Sequence, residues 1–150
     1  MAEGIFKKML KERTEDDSRF NIISAGISAL PGMSPTSEAI LVMFEQGIDI
    51  SQHHTQALQE ELIKKADLIL VMANEHKEYI HKEFPFAQKK IFILKKFALT
   101  NKSESNQNNE RNYEIIDPIG RKIEFYRIIA RELKENLEKI LDKILEENNK

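Results

Sequence analysis

Short apolar segments alternate with amphipathic segments along this chain, and this alternation restricts the fold more than any other feature. The clearest apolar segment is ADLILVMA at residues 66–73, and two shorter ones are FNIIS (Phe20–Ser24) and KIFIL (Lys90–Leu94). Each has the length and composition of a buried strand. Apolar strands separated by amphipathic helices are typical of a parallel sheet covered on both faces. The sequence therefore predicts an α/β domain with three strands.

Apolar periodicity predicts the helices between these strands. The helix at residues 1–13 has one apolar face, formed by Ile5, Phe6, Met9 and Leu10. Ser34 followed by Pro35 suits the start of a second helix, which should end near Gly47. Further helices are predicted at residues 59–65, at residues 74–84 and, as one long terminal helix, from residue 121 onward. The polar segment 101–112 is predicted to be a surface loop.

The first helix stands at the start of the chain without the strand that would precede it in a βαβ unit. Three strands also make a narrow sheet for this number of helices. We therefore expect a further strand in front of the first helix, and we interpret residues 1–150 as one domain that is incomplete at its N-terminus.

The composition limits the classes of partner. A formal net charge of -2 over 150 residues provides no basic surface for nucleic acid. No apolar run approaches the roughly 20 residues of a membrane helix, and no secretory signal is recognisable. These features predict a cytoplasmic protein without nucleic-acid or membrane partners. The sequence does not indicate an oligomeric state.

The chain contains no cysteine, and this absence excludes three kinds of chemistry within it. Disulfides, thiolate metal sites and covalent catalysis on a cysteine cannot arise from these residues. The adjacent His53 and His54 would point in different directions, and a zinc site without thiolates would need distant carboxylates. We therefore predict no metal and no cofactor.

Asp117 is the residue that most invites a catalytic interpretation. It precedes Pro118 in the turn before the terminal helix, and α/β folds bind their ligands at strand-to-helix loops. A carboxyl group in such a loop can act as a general acid. An ordinary Asp-Pro turn explains the same residues, so both interpretations stay open on spacing alone.

Six short motifs together resemble the low-molecular-weight protein tyrosine phosphatases. They run in order through nearly the whole chain: MAEGIF at 1–6, SAG at 24–26, SPTSEAI at 34–40, GIDIS-x-H at 47–53, ADLILVM at 66–72 and DPIG at 117–120. Each motif alone has little specificity, whereas their order and spacing are specific. Within the family, the chain is most similar to the bacterial branch that includes protein-arginine phosphatases.

The resemblance implies a four-stranded parallel sheet whose first strand leads into a phosphate-binding loop of pattern C-x5-R-S-P, ending just before the first residue. Asp117 matches the general acid of the family. Ser24 and His53 match residues that support the phosphate loop, and Leu30 and Ile119 match walls of the substrate pocket. These walls are often aromatic in the family but aliphatic here, so phosphotyrosine and phosphoarginine both stay open as substrates.

The mechanism implied by the resemblance proceeds through a phosphocysteine. A thiolate attacks phosphorus, and the acid protonates the departing oxygen or nitrogen and then activates water. Because the cysteine and the arginine of the loop are absent, we expect this chain to be inactive towards phosphorylated protein substrates. The alternatives are a non-catalytic remnant or binding domain and an arsenate reductase-like protein, which would also need cysteines.

Overall fold

The computed structural model describes residues 1–99 and 113–148, so the surface loop predicted at 101–112 lies outside the described part. In chain order the elements are α1 (Ala2–Arg13), α2 (Ser37–Glu45), α3 (Glu60–Lys65), β1 (Ile69–Val71), α4 (Asn74–Glu83), a 3-10 helix (Pro85–Lys90), β2 (Ile91–Ile93), α5 (Leu94–Leu99) and α6 (Ile123–Asn148). They belong to two compact units, Met1–Ala57 with the chain from Asp117 onward, and Leu58–Ile116. No helix in the described ranges is long and apolar enough to span a bilayer.

Helices α1, α2 and α6 form the core of the first unit, where both α1 and α2 pack against α6. The predicted apolar face of α1 is confirmed, since it is buried at Ile5, Phe6, Met9 and Leu10. The buried residues of α6 recur every three or four positions, as expected of an amphipathic helix. They are Tyr126, Ile129, Ala130, Leu133, Leu137, Ile140 and Leu141.

Helix α2 begins later than the sequence predicts. Its N-cap is Thr36, whose hydroxyl oxygen accepts a hydrogen bond from the Ala39 amide (3.2 Å), so the predicted cap at Ser34 is wrong. Serine and threonine cap helices about equally well, so local sequence cannot choose between them. The Thr36 hydroxyl also donates to the Tyr126 hydroxyl oxygen in α6 (3.1 Å), a contact that only the tertiary fold provides.

The C-terminus of α2 lies where Gly47 predicts it. Gly47 has a φ of +70°, and its amide donates to the Phe44 carbonyl (2.9 Å). The Ile48 amide donates to the Met43 carbonyl (3.0 Å). These two bonds define a Schellman motif, which needs a left-handed residue just after the helix and therefore favours glycine.

The second unit contains the sheet. Strands β1 and β2 pair in parallel, with Ile69 opposite Ile91 and Val71 opposite Ile93. The helices of this unit cover the strands with a core of Ile63, Val71, Ile80, Ala87, Ile91 and Ile93. The predicted α/β class with a parallel sheet and a long terminal helix is thereby confirmed.

Lys90, just before β2, stabilises the end of α3. Its ammonium group donates to the carbonyl oxygens of Lys64 (3.2 Å) and Ala66 (2.6 Å). Carbonyls at a helix C-terminus have no hydrogen-bond partner inside the helix. A cation placed there donates hydrogen bonds to them and also interacts favourably with the negative end of the helix dipole.

The strand predicted at Phe20–Ser24 is wrong: the described residues contain two strands, not three. The segment is assigned to no strand, and Ile23 is 46% exposed. Its nearest pairing is a single parallel bridge between Gly26 and Ala57. Apolar β-branched residues favour a strand, but a strand also needs a ladder of hydrogen bonds to a neighbouring strand. The composition of a segment does not show whether such a neighbour is present.

Candidate functional site

Ser24 and His53, the two residues predicted to support a loop, meet at one carboxylate. The Ser24 hydroxyl donates a hydrogen bond to Oε2 of Glu3 (2.6 Å), and Nδ1 of His53 lies 3.9 Å from the same oxygen. The other oxygen, Oε1, accepts a bond from the Lys7 ammonium (2.5 Å). Glu3 thus connects residues from three segments of the first unit. We call Glu3, Ser24 and His53 the carboxylate cluster.

The surroundings of Glu3 favour the charged form of its carboxylate. Burial raises the pKa of this group, but hydrogen bonds from Lys7 and Ser24 and the nearby His53 outweigh burial, so the pKa falls below its ordinary value of 4.5. The side chain is only 16% exposed. Glu3 also lies in the first turn of α1, where the helix dipole stabilises negative charge.

Sequence reasoning missed Glu3 as a site residue. Two signals were available, its position in the first turn of a helix and its place within the MAEGIF motif. Neither of them identifies the partners, because Ser24 and His53 lie 21 and 50 positions away along the chain.

Gln56 makes a second contact with Ser24, through the Ser24 backbone. The side-chain amide of Gln56 donates to the Ser24 carbonyl (2.9 Å), and the Gln56 carbonyl accepts from the Gly26 amide (3.0 Å). The backbone around Ser24 is therefore held by the segment that also carries His53, so two of the three members of the carboxylate cluster depend on the same segment of the chain.

Thr55 binds the loop that carries Leu30, one of the predicted pocket walls. Its hydroxyl donates to the Leu30 carbonyl (2.5 Å) and accepts from the Met33 amide (2.9 Å). Its backbone amide donates to the Met33 carbonyl (2.9 Å), and its carbonyl accepts from the Gly32 amide (2.8 Å). The side chains of Leu30 and Met33 point into solvent, 71% and 56% exposed. We call residues 30–33 the clasped loop.

Asp117 lies in the predicted turn, which is confirmed. One of its oxygens, Oδ1, accepts a hydrogen bond from the Ile119 amide (2.9 Å), and the Arg121 amide donates to the Pro118 carbonyl (2.9 Å). Gly120 has a φ of +74°, a conformation that glycine adopts without strain. Asp117 is exposed, and Ile119 is 67% exposed.

The structure thus brings Ser24 and His53 together and gives no contact between them and Asp117, within the part of the chain that it describes. Both predicted pocket walls, Leu30 and Ile119, are exposed aliphatic side chains. No group of three histidine, aspartate or glutamate side chains is arranged to hold a metal ion in the same part of the chain.

The chain is similar in sequence to one family of known proteins. The family described as "Low molecular weight phosphotyrosine protein phosphatase" matches residues 1–150. The protein-arginine-phosphatase of Bacillus subtilis (strain 168) is 31% identical over 140 residues, covering 93% of this chain and 84% of that protein. The low molecular weight protein-tyrosine-phosphatase Ptp of Acinetobacter johnsonii is 42% identical over 94 residues, 63% of this chain and 61% of that protein.

A solved structure agrees with these sequence matches. The low molecular weight protein tyrosine phosphatase from T. tengcongensis superposes with a TM-score of 0.80 at 36% identity. The match covers 95% of this chain and 88% of that one.

Proposed function

Because the chain belongs to the low-molecular-weight phosphotyrosine protein phosphatase family, we propose that its residues support a phosphate-binding loop and supply the general acid of a protein phosphatase. The carboxylate cluster of Glu3, Ser24 and His53 is the observation that carries this proposal. A helix N-terminus attracts anions, and the cluster lies beside the first turn of α1. The proposed substrates are phosphorylated proteins. We also propose that residues 1–150 belong to a single domain and that the protein is cytoplasmic.

Each residue has a distinct role in the proposed reaction. A cysteine thiolate, which these 150 residues do not contain, would form a bond to phosphorus as the P–O or P–N bond breaks. Asp117 would give its proton to the departing atom and then take one from the water that cleaves the S–P bond. Ser24 and His53 would hold the loop from behind, and Glu3 would hold both of them.

The 150 residues alone should not catalyse this reaction. A well-placed general acid contributes roughly 10²–10⁴-fold, whereas hydrolysis of phosphate monoesters can require about 10²¹-fold over the uncatalysed rate. Asp117 alone therefore cannot provide the required rate enhancement, because the reaction also needs a nucleophile and a cationic group that binds the phosphate.

The proposed pocket favours phosphoarginine over phosphotyrosine. Leu30 and Ile119 are aliphatic and exposed, so they offer contact to an aliphatic arm but no ring for a phenyl group to stack on. The named activity of the Bacillus subtilis relative supports the same preference. An arsenate reductase-like activity is the weaker proposal, because that chemistry also needs cysteines.

The proposal can be tested with two proteins. The first is the chain as it stands, and the second is an extended variant in which an apolar strand of about six residues and a C-x5-R-S-P loop precede Met1. We expect no turnover of p-nitrophenyl phosphate or of a phosphoarginine peptide by the first, and turnover of both by the second. In the extended variant, Asp117→Asn should lower kcat about 10²–10⁴-fold. The same extension with serine for cysteine is the matched control.

Two results would overturn the proposal. Turnover by the unextended chain would show that it uses other chemistry. A folded extended variant without activity would contradict the roles assigned to Asp117 and to the carboxylate cluster.

A non-catalytic binding domain is the second candidate function, favoured by the absence of cysteine. Reading the nucleotides upstream in frame separates the two: an open C-x5-R-S-P favours the phosphatase, and a stop codon in that interval favours the binding domain.

A further inference from the structure

We propose that Thr55 is a positioning residue that holds the clasped loop, and with it the Leu30 wall of the substrate pocket, in a single conformation. The proposal rests on the proposed function, because it takes Leu30 as a pocket wall. We assign Thr55 no direct contact with the substrate. It acts through the four hydrogen bonds that its side chain and backbone make to residues 30, 32 and 33.

The clasped loop needs such an anchor because burial does not hold it. Its two large apolar side chains, Leu30 and Met33, are mostly exposed. A Cβ atom added at Gly32 would meet no other atom within 4 Å. A loop without packed side chains keeps one conformation only if hydrogen bonds restrict its backbone, since each ordered residue loses conformational entropy.

Threonine has the chemistry that this position requires. A hydroxyl group can donate one hydrogen bond and accept others at the same time, and Thr55 does both, towards the Leu30 carbonyl and the Met33 amide. Valine has the same shape without either bond, whereas serine keeps both and loses only a methyl group. Branching at Cβ also restricts the side-chain rotamer, which keeps the hydroxyl aimed at the loop.

The consequence for the proposed reaction concerns substrate binding more than the chemical step. Asp117 belongs to a different turn, which is closed by its own hydrogen bonds. Loosening the clasped loop should therefore weaken contacts with the substrate side chain and leave proton transfer almost unchanged. Losing two hydrogen bonds should change the equilibrium between the anchored and the loosened loop about tenfold or more.

The anchor can be tested on the chain itself by amide hydrogen exchange. In Thr55→Val we expect the Met33 amide to exchange about tenfold faster, with a smaller effect at the Gly32 amide, and in Thr55→Ser we expect rates near those of the parent chain. The Ile48 amide, bonded inside the first unit at the end of α2, is the internal control and should not change. An unchanged Met33 rate in Thr55→Val would overturn the proposal.

The role in the pocket is tested in the extended variant. Thr55→Val should raise KM for a phosphoarginine peptide about tenfold while kcat stays within about twofold, Thr55→Ser should restore KM, and Leu30→Ala should raise KM in the same way. Faster exchange at Met33 with an unchanged KM would reduce Thr55 to a structural residue and overturn its positioning role. If the extended variant has no activity, the proposed function fails and removes the pocket role, while the exchange data still decide whether Thr55 anchors the loop.

Discussion

Glu3 accepts hydrogen bonds from both Ser24 and Lys7, and we predict that the bond from Ser24 contributes more to stability. The Glu3 carboxylate is 16% exposed and lies 2.6 Å from the Ser24 hydroxyl oxygen. Hydrogen bonds to charged groups contribute about 1.5–3 kcal/mol. Because Ser24 is exposed, we take the lower limit, about 1.5 kcal/mol. Lys7 is 54% exposed and four residues from Glu3 in the same helix, and such pairs contribute only about 0.3–0.5 kcal/mol.

Two double-mutant cycles measure these couplings. One combines Glu3→Ala with Ser24→Ala, and the other combines Glu3→Ala with Lys7→Ala, each followed by urea unfolding at pH 7. We expect a coupling free energy of about 1.5 kcal/mol for the first and at most about 0.5 kcal/mol for the second. Added salt should reduce the Lys7 coupling and leave the Ser24 coupling nearly unchanged, since salt screens exposed ion pairs most strongly.

The control for these cycles is Ser28→Ala, at another exposed serine in the same region, which should change the unfolding free energy by less than about 0.5 kcal/mol. A Lys7 coupling equal to or larger than the Ser24 coupling would refute the reasoning, because burial and bond geometry would then not determine which contact dominates.

The pH dependence of stability follows from the same carboxylate. The pKa of Glu3 is lowered in the folded protein from its ordinary value of 4.5, so the folded state binds this proton less tightly than the unfolded state does. Its contribution to stability is therefore fully present above pH 4.5 and is lost as the pH falls through the lowered pKa. Glu3→Gln should remove this part of the acid slope. Parallel stability curves for the Glu3→Gln variant and the parent protein below pH 4.5 would contradict the assignment.

Three further predictions concern the helix ends, each measured by urea unfolding. Thr36→Ala should cost about 1–2 kcal/mol by removing the N-cap and leaving the buried Tyr126 hydroxyl without its partner, and adding Tyr126→Phe should recover part of this loss. Gly47→Ala should cost about 1 kcal/mol, because its φ of +70° strains a side chain with a Cβ atom, and Gly47→Asn should cost less. Lys90→Met should cost about 1 kcal/mol by freeing two carbonyls at the end of α3; an effect near zero would show that water replaces the ammonium group.

Most of the helices were predictable because their signal is local, although α5 (Leu94–Leu99) was not predicted. The face of α1 and the end of α2 at Gly47 follow from periodicity and from the need for a left-handed residue, and the structure contains both. A strand was wrongly predicted at Phe20–Ser24, because strand formation depends on a neighbouring strand that the segment itself does not encode. The cap at Thr36 was missed because the contact with Tyr126 joins positions that are far apart in the sequence.

In the candidate site, too, residues with a local sequence signal were predictable and residues defined by tertiary contacts were not. Asp117 could be singled out from its turn, and Ser24 and His53 came only from the resemblance to a family. Glu3 and Thr55 were missed although each is at the centre of its own group of hydrogen bonds. Their importance arises from tertiary contacts, and no pattern of residue types at short spacing reports such contacts.

The unpaired segment Phe20–Ser24 has a consequence for the behaviour of the protein at high concentration. It carries no charge and no proline, it includes two isoleucines, and Ile23 is 46% exposed. Natural proteins protect such segments with charges, prolines or bulges, because exposed extended chains pair with copies of themselves and aggregate. Arg19 directly precedes the segment, and we expect its charge to oppose intermolecular strand pairing, so Arg19→Ala should increase aggregation at high protein concentration.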